Sequence, residues 1–182
     1  NSELIYKNNP WIITLDSIAN FDIKNQLLNI NKLSLLGVNE KMEINLNYNY
    51  NSINFLKLSF DNVSVENLPF DTYNFSGVLD GDFIFDKNSN NESRLYFKNL
   101  TLDQYKLGSL DLNINHIHKQ NELKFKSFLK NNSKLRLNTF GGFVYDNKEP
   151  KLDLIAKFES FPINSLNIIG KNNINNIRGE IT

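Results

Sequence analysis

The sequence predicts an all-β protein built on one long, mostly antiparallel sheet. Three observations carry that expectation. From Met42 onward apolar and polar residues alternate with a period of two, the repeat of a strand with one apolar face. Turn-forming clusters such as Asn88-Ser89-Asn90-Asn91 interrupt the alternation at short intervals, which favours antiparallel pairing of sequential strands. Clear helical spacing occurs in a single stretch late in the chain.

Residues 1–40 are the least regular and read as an irregular opening segment with β character. Pro10-Trp11 precedes Ile12-Ile13-Thr14-Leu15, which is apolar on both faces, and residues 27–36 are apolar without a clean period. Strands are expected at about 11–16 and 28–36, with a weak amphipathic helical pattern across 17–26. At Met42 the pattern becomes regular. Ile44, Leu46, Tyr48 and Tyr50 share one face, opposite Glu43, Asn45, Asn47 and Asn49. Phe55-Leu56-Lys57-Leu58-Ser59-Phe60 and Val63-Ser64-Val65 follow as strand segments. Leu68-Pro69-Phe70 breaks the pattern, because proline lacks the donor a central ladder needs.

Residues 75–85 make the clearest strand. Phe75, Gly77, Leu79, Gly81, Phe83 and Phe85 fall on one face; Ser76, Val78, Asp80, Asp82 and Ile84 fall on the other. After the asparagine-rich turn the alternation resumes with Leu95 and Phe97, then Leu100 and Leu102. Gly108 starts another strand carrying Leu110, Leu112 and Ile114. Leu123, Phe125 and Leu129 come next, then Leu135, Leu137, Phe143 and Tyr145 with Gly141 in phase. Residues 146–150 read as a hairpin-like loop, and Leu152, Leu154, Ala156 and Phe158 as a further strand. Pro162 stands where a first helical turn tolerates it, Ile163, Leu166 and Ile169 recur at helical spacing, and Gly170 ends the run, so one short helix is expected near 162–169.

A weak internal repeat emerges. Glu66-Asn67-Leu68-Pro69-Phe70 resembles Glu159-Ser160-Phe161-Pro162-Ile163, and each break leads to a glycine-containing strand, at Gly77 and at Gly179. Residues 41–182 therefore read as one repetitive β domain with unit boundaries near 70–77 and 163–179. Strands of ~8–10 residues span ~26–33 Å, and about a dozen of them laid side by side make a sheet ~55–60 Å long. Such a sheet must cover its apolar face. It folds into a sandwich, closes into a barrel, or curls into a gutter filled by something else. Gly77, Gly81, Gly141 and Gly179 lie on the apolar phase, where glycine permits coiling or a bulge, or makes room for a neighbouring ring.

Composition narrows the function. Lys plus Arg and Asp plus Glu each number 20, so no basic excess exists to neutralise phosphates and no nucleic-acid partner is expected. The chain has no cysteine, which excludes disulfides, thiolate catalysis and cysteine metal sites. No apolar run approaches the ~20 residues of a membrane-spanning helix. The 33 asparagines among 182 residues read as a compositional bias. No Ser-His-Asp ordering, Walker loop or dinucleotide fingerprint occurs, so neither catalysis nor a cofactor is expected. His116 and His118 face the same way in a strand but lack a third ligand, so no metal is expected. Asp80-Gly81-Asp82 resembles a carboxylate pair for a cation, yet both acids fall on the polar face and read as solvated surface. Trp11 is the one tryptophan, and the polar faces offer no aromatic platform for a sugar.

Three stretches together carry a family resemblance: Leu79-Asp80-Gly81-Asp82-Phe83-Ile84-Phe85, the run 99–112 with its Asn-Leu-Thr-Leu and Leu-Gly-Ser-Leu-Asp-Leu, and the helix at 162–169 before Ile177-Arg178-Gly179-Glu180-Ile181. Over residues 40–182 the chain resembles the TamB proteins of the AsmA-like family of bacterial envelope proteins. The resemblance implies an open β-taco, a curled sheet with an apolar interior, in the periplasm of a Gram-negative bacterium. It also implies that this chain is a section of a larger protein, with an inner-membrane anchor outside the section. The implied partners are phospholipid, an Omp85-family outer-membrane barrel and outer-membrane client polypeptides. The implied activity is carriage of acyl chains between the membranes, support of outer-membrane protein assembly, or both. The expected groove lining is Leu46, Tyr48, Leu58, Leu79, Phe83, Phe85, Leu112, Ile114, Leu123, Phe125, Leu135, Leu137, Phe143, Leu154 and Phe158. A uniform lining of this kind lets lipid slide without a deep well. Two other readings stay open: an edge strand that captures client strands, and an unrelated β-sandwich or β-helix that binds carbohydrate or mediates adhesion.

Overall fold

The computed structural model describes residues 2–6, 9–15, 19–49, 52–68, 74–132, 134–145, 150–159 and 180–181. These fold almost wholly into strands: β1 (Ser2–Tyr6), β2 (Asn9–Leu15), β3 (Asn20–Asp22), β4 (Leu27–Leu36), β5 (Lys41–Asn49), β6 (Ser52–Ser64), β7 (Phe75–Asp86), β8 (Asn91–Leu102), β9 (Tyr105–Ile117), β10 (Glu122–Asn131), β11 (Lys134–Val144), β12 (Lys151–Phe158) and β13 (Glu180–Ile181). All thirteen belong to one sheet, in the order β1-β2-β4-β5-β6-β7-β8-β9-β10-β11-β12-β13, with β3 beside β4. From β4 to β12 the order is the chain order, a meander. Every pair is antiparallel except β12 with β13. Among the described residues the sheet does not close into a barrel.

The first forty residues supply strands of this same sheet, β1 to β4. The helical pattern across 17–26 is not realised among the described residues: Asn20–Asp22 is a short strand and 23–26 a turn. There the Asp22 carboxylate accepts from the backbone N–H of Asn25, which satisfies the turn locally. The helix expected near 162–169, the loop 146–149 and Gly179 lie outside the described residues.

Turns and bulges account for part of the asparagine excess. Asn39, Asn62, Asn99, Asn121 and Asn132 all have positive φ, between 48° and 67°, a region asparagine tolerates better than most residues. Asn62 falls where the β6–β7 register shifts between Phe60 and Val63. The backbone N–H of Asn62 donates to Asp80 Oδ1 at 2.9 Å, and its side-chain amide donates to the Asn39 carbonyl at 2.8 Å. The extra residue thus keeps its polar groups satisfied, and Val63 returns to the apolar phase fully buried.

Two buried clusters hold the sheet. Trp11, Phe60, Val63, Leu68 and Leu79 form one; Leu100, Leu102, Leu107 and Leu129 form the other. Trp11 belongs to β2 and Leu79 to β7, several strands apart, so the first cluster closes across a curve. A flat sheet would set β7 and β11 ~19 Å apart at ~4.8 Å per strand. Yet the rings of Phe85, on β7, and Tyr145, just past β11, have centroids 6.0 Å apart. The sheet curls toward its apolar face, which becomes the concave one.

Candidate functional site: the concave apolar face

Pairing registers decide which side chains share this face. Leu58 lies between Ile44 and Phe83; Leu46 pairs with Leu56, which pairs with Phe85. Tyr48 stands between Leu28 and Ile53. Leu79 pairs with Phe97, Leu112 with Leu95, and Ile114 with Phe125. Leu123 pairs with Phe143, Leu129 with Leu137, Leu154 with Gly141, and Phe158 with Leu137. The expected lining therefore assembles on one face, with Leu135 as the exception. A register shift pairs Leu135 with Lys130, so its neighbour across the ladder is charged rather than apolar.

Most of these side chains are half-buried. Leu79 is 3% exposed and Leu154 49% exposed, and burial declines toward β12. Contacts between elements run mainly between neighbouring strands, and among the described residues no second sheet packs on the face. Apart from Leu79, the expected lining left out the most buried apolar positions, Trp11, Phe60, Val63, Leu68, Leu100, Leu102, Leu107 and Leu129, although alternation already put Leu100, Leu102 and Leu129 in strands. Leu68 follows the 3₁₀ turn Val65–Asn67 and folds onto Phe60, Val63 and Leu79. Its position next to Pro69 read as a break in the pattern, with no signal of where it packs.

Among the described residues two hollows open on the face. One, of about 320 Å³, is walled by Leu58, Phe60, Leu68, Leu79, Phe83 and Phe97, with further apolar side chains around them. The second, of about 550 Å³, has Ile53, Leu56, Phe83 and Phe85 as its floor and Ser52, Lys87, Asn121 and Tyr145 at its rim. Phe83 lines both. The face is not uniformly apolar, contrary to expectation. Ser93, Ser127 and Thr139 share it by register, opposite Ile114, Leu112 and Ala156. They neutralise their own polarity: Ser93 Oγ accepts from Ile84 N and donates to Ile84 O, and Ser127 bonds Thr139 hydroxyl to hydroxyl.

The two histidines separate. His116 is 2% exposed; its Nδ1 lies 3.0 Å from the Ser89 carbonyl and its Nε2 2.7 Å from the Tyr145 hydroxyl. A carbonyl only accepts, so Nδ1 donates in the first of these bonds. The imidazole also packs on Phe85, with centroids 4.7 Å apart. His118 begins the 3₁₀ turn His118–Gln120 instead of continuing the strand, so the two do not form a pair. No group of three potential metal ligands exists among the described residues.

The glycines serve the backbone more than the rings. Gly81 has φ 116°, and a β-carbon there would collide with the Arg94 carbonyl of β8. Gly108, at φ 111°, stands in the same relation to the Lys130 carbonyl of β10. Gly77, at φ 142°, lies between the shifted registers of Ser76 and Val78. Of these four, Gly141 is the one where a β-carbon would meet a ring, Phe125 Cζ at 2.8 Å, as well as the Asp153 carbonyl.

The convex face is laced with ion pairs. Arg94 donates to both Asp111 oxygens, at 3.2 and 2.7 Å, and Lys98 reaches Asp80 at 2.7 Å. Lys57 faces Asp82 at 3.7 Å, and Lys32 and Lys41 converge on Glu43. The Asp80–Asp82 pair is thus matched to lysines on neighbouring strands. The Lys98 ammonium, with the Asn62 N–H, holds the Asp80 carboxyl below its ordinary range; Lys41 does the same for Glu43. This face carries rings as well, contrary to expectation: Tyr96 and Phe140 are exposed on it.

No protein-family model matches this chain, and neither curated proteins nor solved structures give a significant match.

Proposed function

We propose that this chain is a section of a TamB-like periplasmic protein whose concave face carries the acyl chains of phospholipid between the two membranes. One observation carries the reading: a single-layer, open sheet keeps half-buried leucine and phenylalanine side chains across most of its concave side, with no second layer over it among the described residues. A sheet ordinarily buries such a face against another element, and a contiguous apolar surface left without one marks an interaction surface. Burying hydrocarbon there is worth ~0.8 kcal/mol per CH₂, and a head group stays in water at the open side. An inner-membrane anchor and an Omp85-family barrel partner belong to the same proposal.

The edge strand supports a second reading. Leu152, Leu154 and Ile155 of β12 are exposed, and β13 covers only Lys157 and Phe158 among the described residues. An outer-membrane client strand would add to such an edge through its backbone. Photo-crosslinkers placed one at a time at Phe125 on the concave face and at Leu152 or Ile155 on β12 separate the two. Attachment to phospholipid, with phospholipid extracted from the purified protein, supports the first reading. Crosslinks confined to polypeptide, from β12 positions, support the second. Lipid-free protein that captures neither phospholipid nor polypeptide overturns both.

A further inference from the structure

We propose that the two hollows form one polarised seat for an anionic phospholipid, with an acyl chain in the apolar hollow and the phosphate beside Lys87. The inference rests on the acyl-carrying reading of the concave face and adds a fixed orientation to it.

The two ends of the seat differ chemically. At one end Leu68 folds over Phe60, Val63 and Leu79, Trp11 packs into the same cluster, and the 320 Å³ hollow beside them is walled by aliphatic and phenyl groups. Nothing in that lining carries a charge, so a head group placed there would lose its hydration without compensation. At the other end the 550 Å³ hollow keeps an apolar floor but has a polar rim. Lys87 is its one cation. The ammonium donates to Ser52 Oγ at 3.3 Å and pairs with no carboxylate among the described residues. The adjacent Asp86 carboxylate is held in the turn by Asn88 N–H and Ser89 Oγ, at 2.9 and 2.8 Å. This leaves Lys87 available to an external anion.

Dimensions fit one acyl chain. Phe83 lines both hollows, so they meet at its ring. From Phe85 to Leu79 is six residues of strand, ~20 Å at ~3.3 Å each. One leaflet of a ~30 Å hydrocarbon core is ~15 Å deep. Several polar groups around a hollow larger than the tail chamber suit a glycerophosphate head better than a bare carboxylate.

The test is binding of single-chain probes below their micelle concentrations: palmitoyl lysophosphatidylglycerol, palmitoyl lysophosphatidylcholine, palmitate and hexadecanol. Lysophosphatidylglycerol is expected to bind roughly threefold to fivefold tighter than lysophosphatidylcholine at low salt, as a partly solvated ion pair allows. High salt and Lys87→Glu should each abolish that preference while leaving hexadecanol unchanged. Val65 also lines the apolar hollow, so Val65→Trp should weaken all four probes. Equal binding of all four, or a preference that survives Lys87→Glu, overturns the polarised seat and leaves the acyl-carrying reading intact. Palmitate binding tightest of all overturns the choice of phospholipid. Binding of none overturns the underlying reading together with this one.

Discussion

At Gly81 and Gly108 a β-carbon has no room. Both take positive φ, and the obstacle in each case is a carbonyl of the neighbouring strand, which cannot swing aside as a side chain could. Gly81→Ala is therefore expected to cost about 2 kcal/mol or more, from the strained φ and the displaced Arg94 carbonyl together. Gly37 offers the comparison. A β-carbon there would meet Glu40 Cβ at 3.4 Å and the Trp11 ring at 3.5 Å, ordinary contact, so Gly37→Ala should cost less than about 1 kcal/mol. Urea unfolding of the two variants checks the contrast, and equal midpoints would refute it. The sequence placed Gly81 on the apolar phase of a strand but left two reasons for it. Only the approach of β8 selects between them, because a backbone collision depends on how closely two distant segments are laid together.

Strands were largely legible and their irregularities were not. Alternation marks β5, β7, β9 and β10 because one face is apolar and the other mostly polar. A bulge shifts that phase by one residue, and asparagine in a chain so rich in it gives no warning. Hence Val63 fell outside the expected lining and Leu135 inside it, although Val63 is fully buried and Leu135 faces Lys130. Convex ion pairs were hidden for a related reason: registry between strands sets whether Asp80 meets Lys98. That pair makes a prediction about acid. Asp80 has its carboxyl held below the ordinary value of 3.8 by Lys98, so its contribution is fully present above about pH 4 and is lost as pH falls through its lowered folded value. With both partners partly solvated the contribution is at most about 1 kcal/mol. Asp80→Asn should remove it at neutral pH and flatten the acid limb of the stability profile. Parallel acid limbs for the variant and the parent protein would contradict this.

For the whole molecule the decisive property is the difference between the two faces of one sheet. Charge placed on the concave face should act on cargo, whereas charge on the convex face should not. Phe83→Glu puts a carboxylate where the two hollows meet, and the amount of phospholipid extracted from the purified protein is expected to fall at least about tenfold. Tyr96→Glu, on the convex face, should leave it unchanged. Equal lipid content in both variants would separate the concave face from any role in lipid binding. Circular dichroism establishes that each variant keeps its sheet.

Local chemistry in the sequence determined that the chain is β, which residues alternate, and that one face is apolar, since each depends on neighbours one or two positions apart. Tertiary structure decided the rest. It brought Tyr145 to Phe85 and Leu68 to Trp11, gave the glycines their positive φ, and broke a supposedly even lining into two hollows joined at Phe83. Curvature is the physical reason. It accumulates from small twists and bulges over many strands, and no window of sequence contains it.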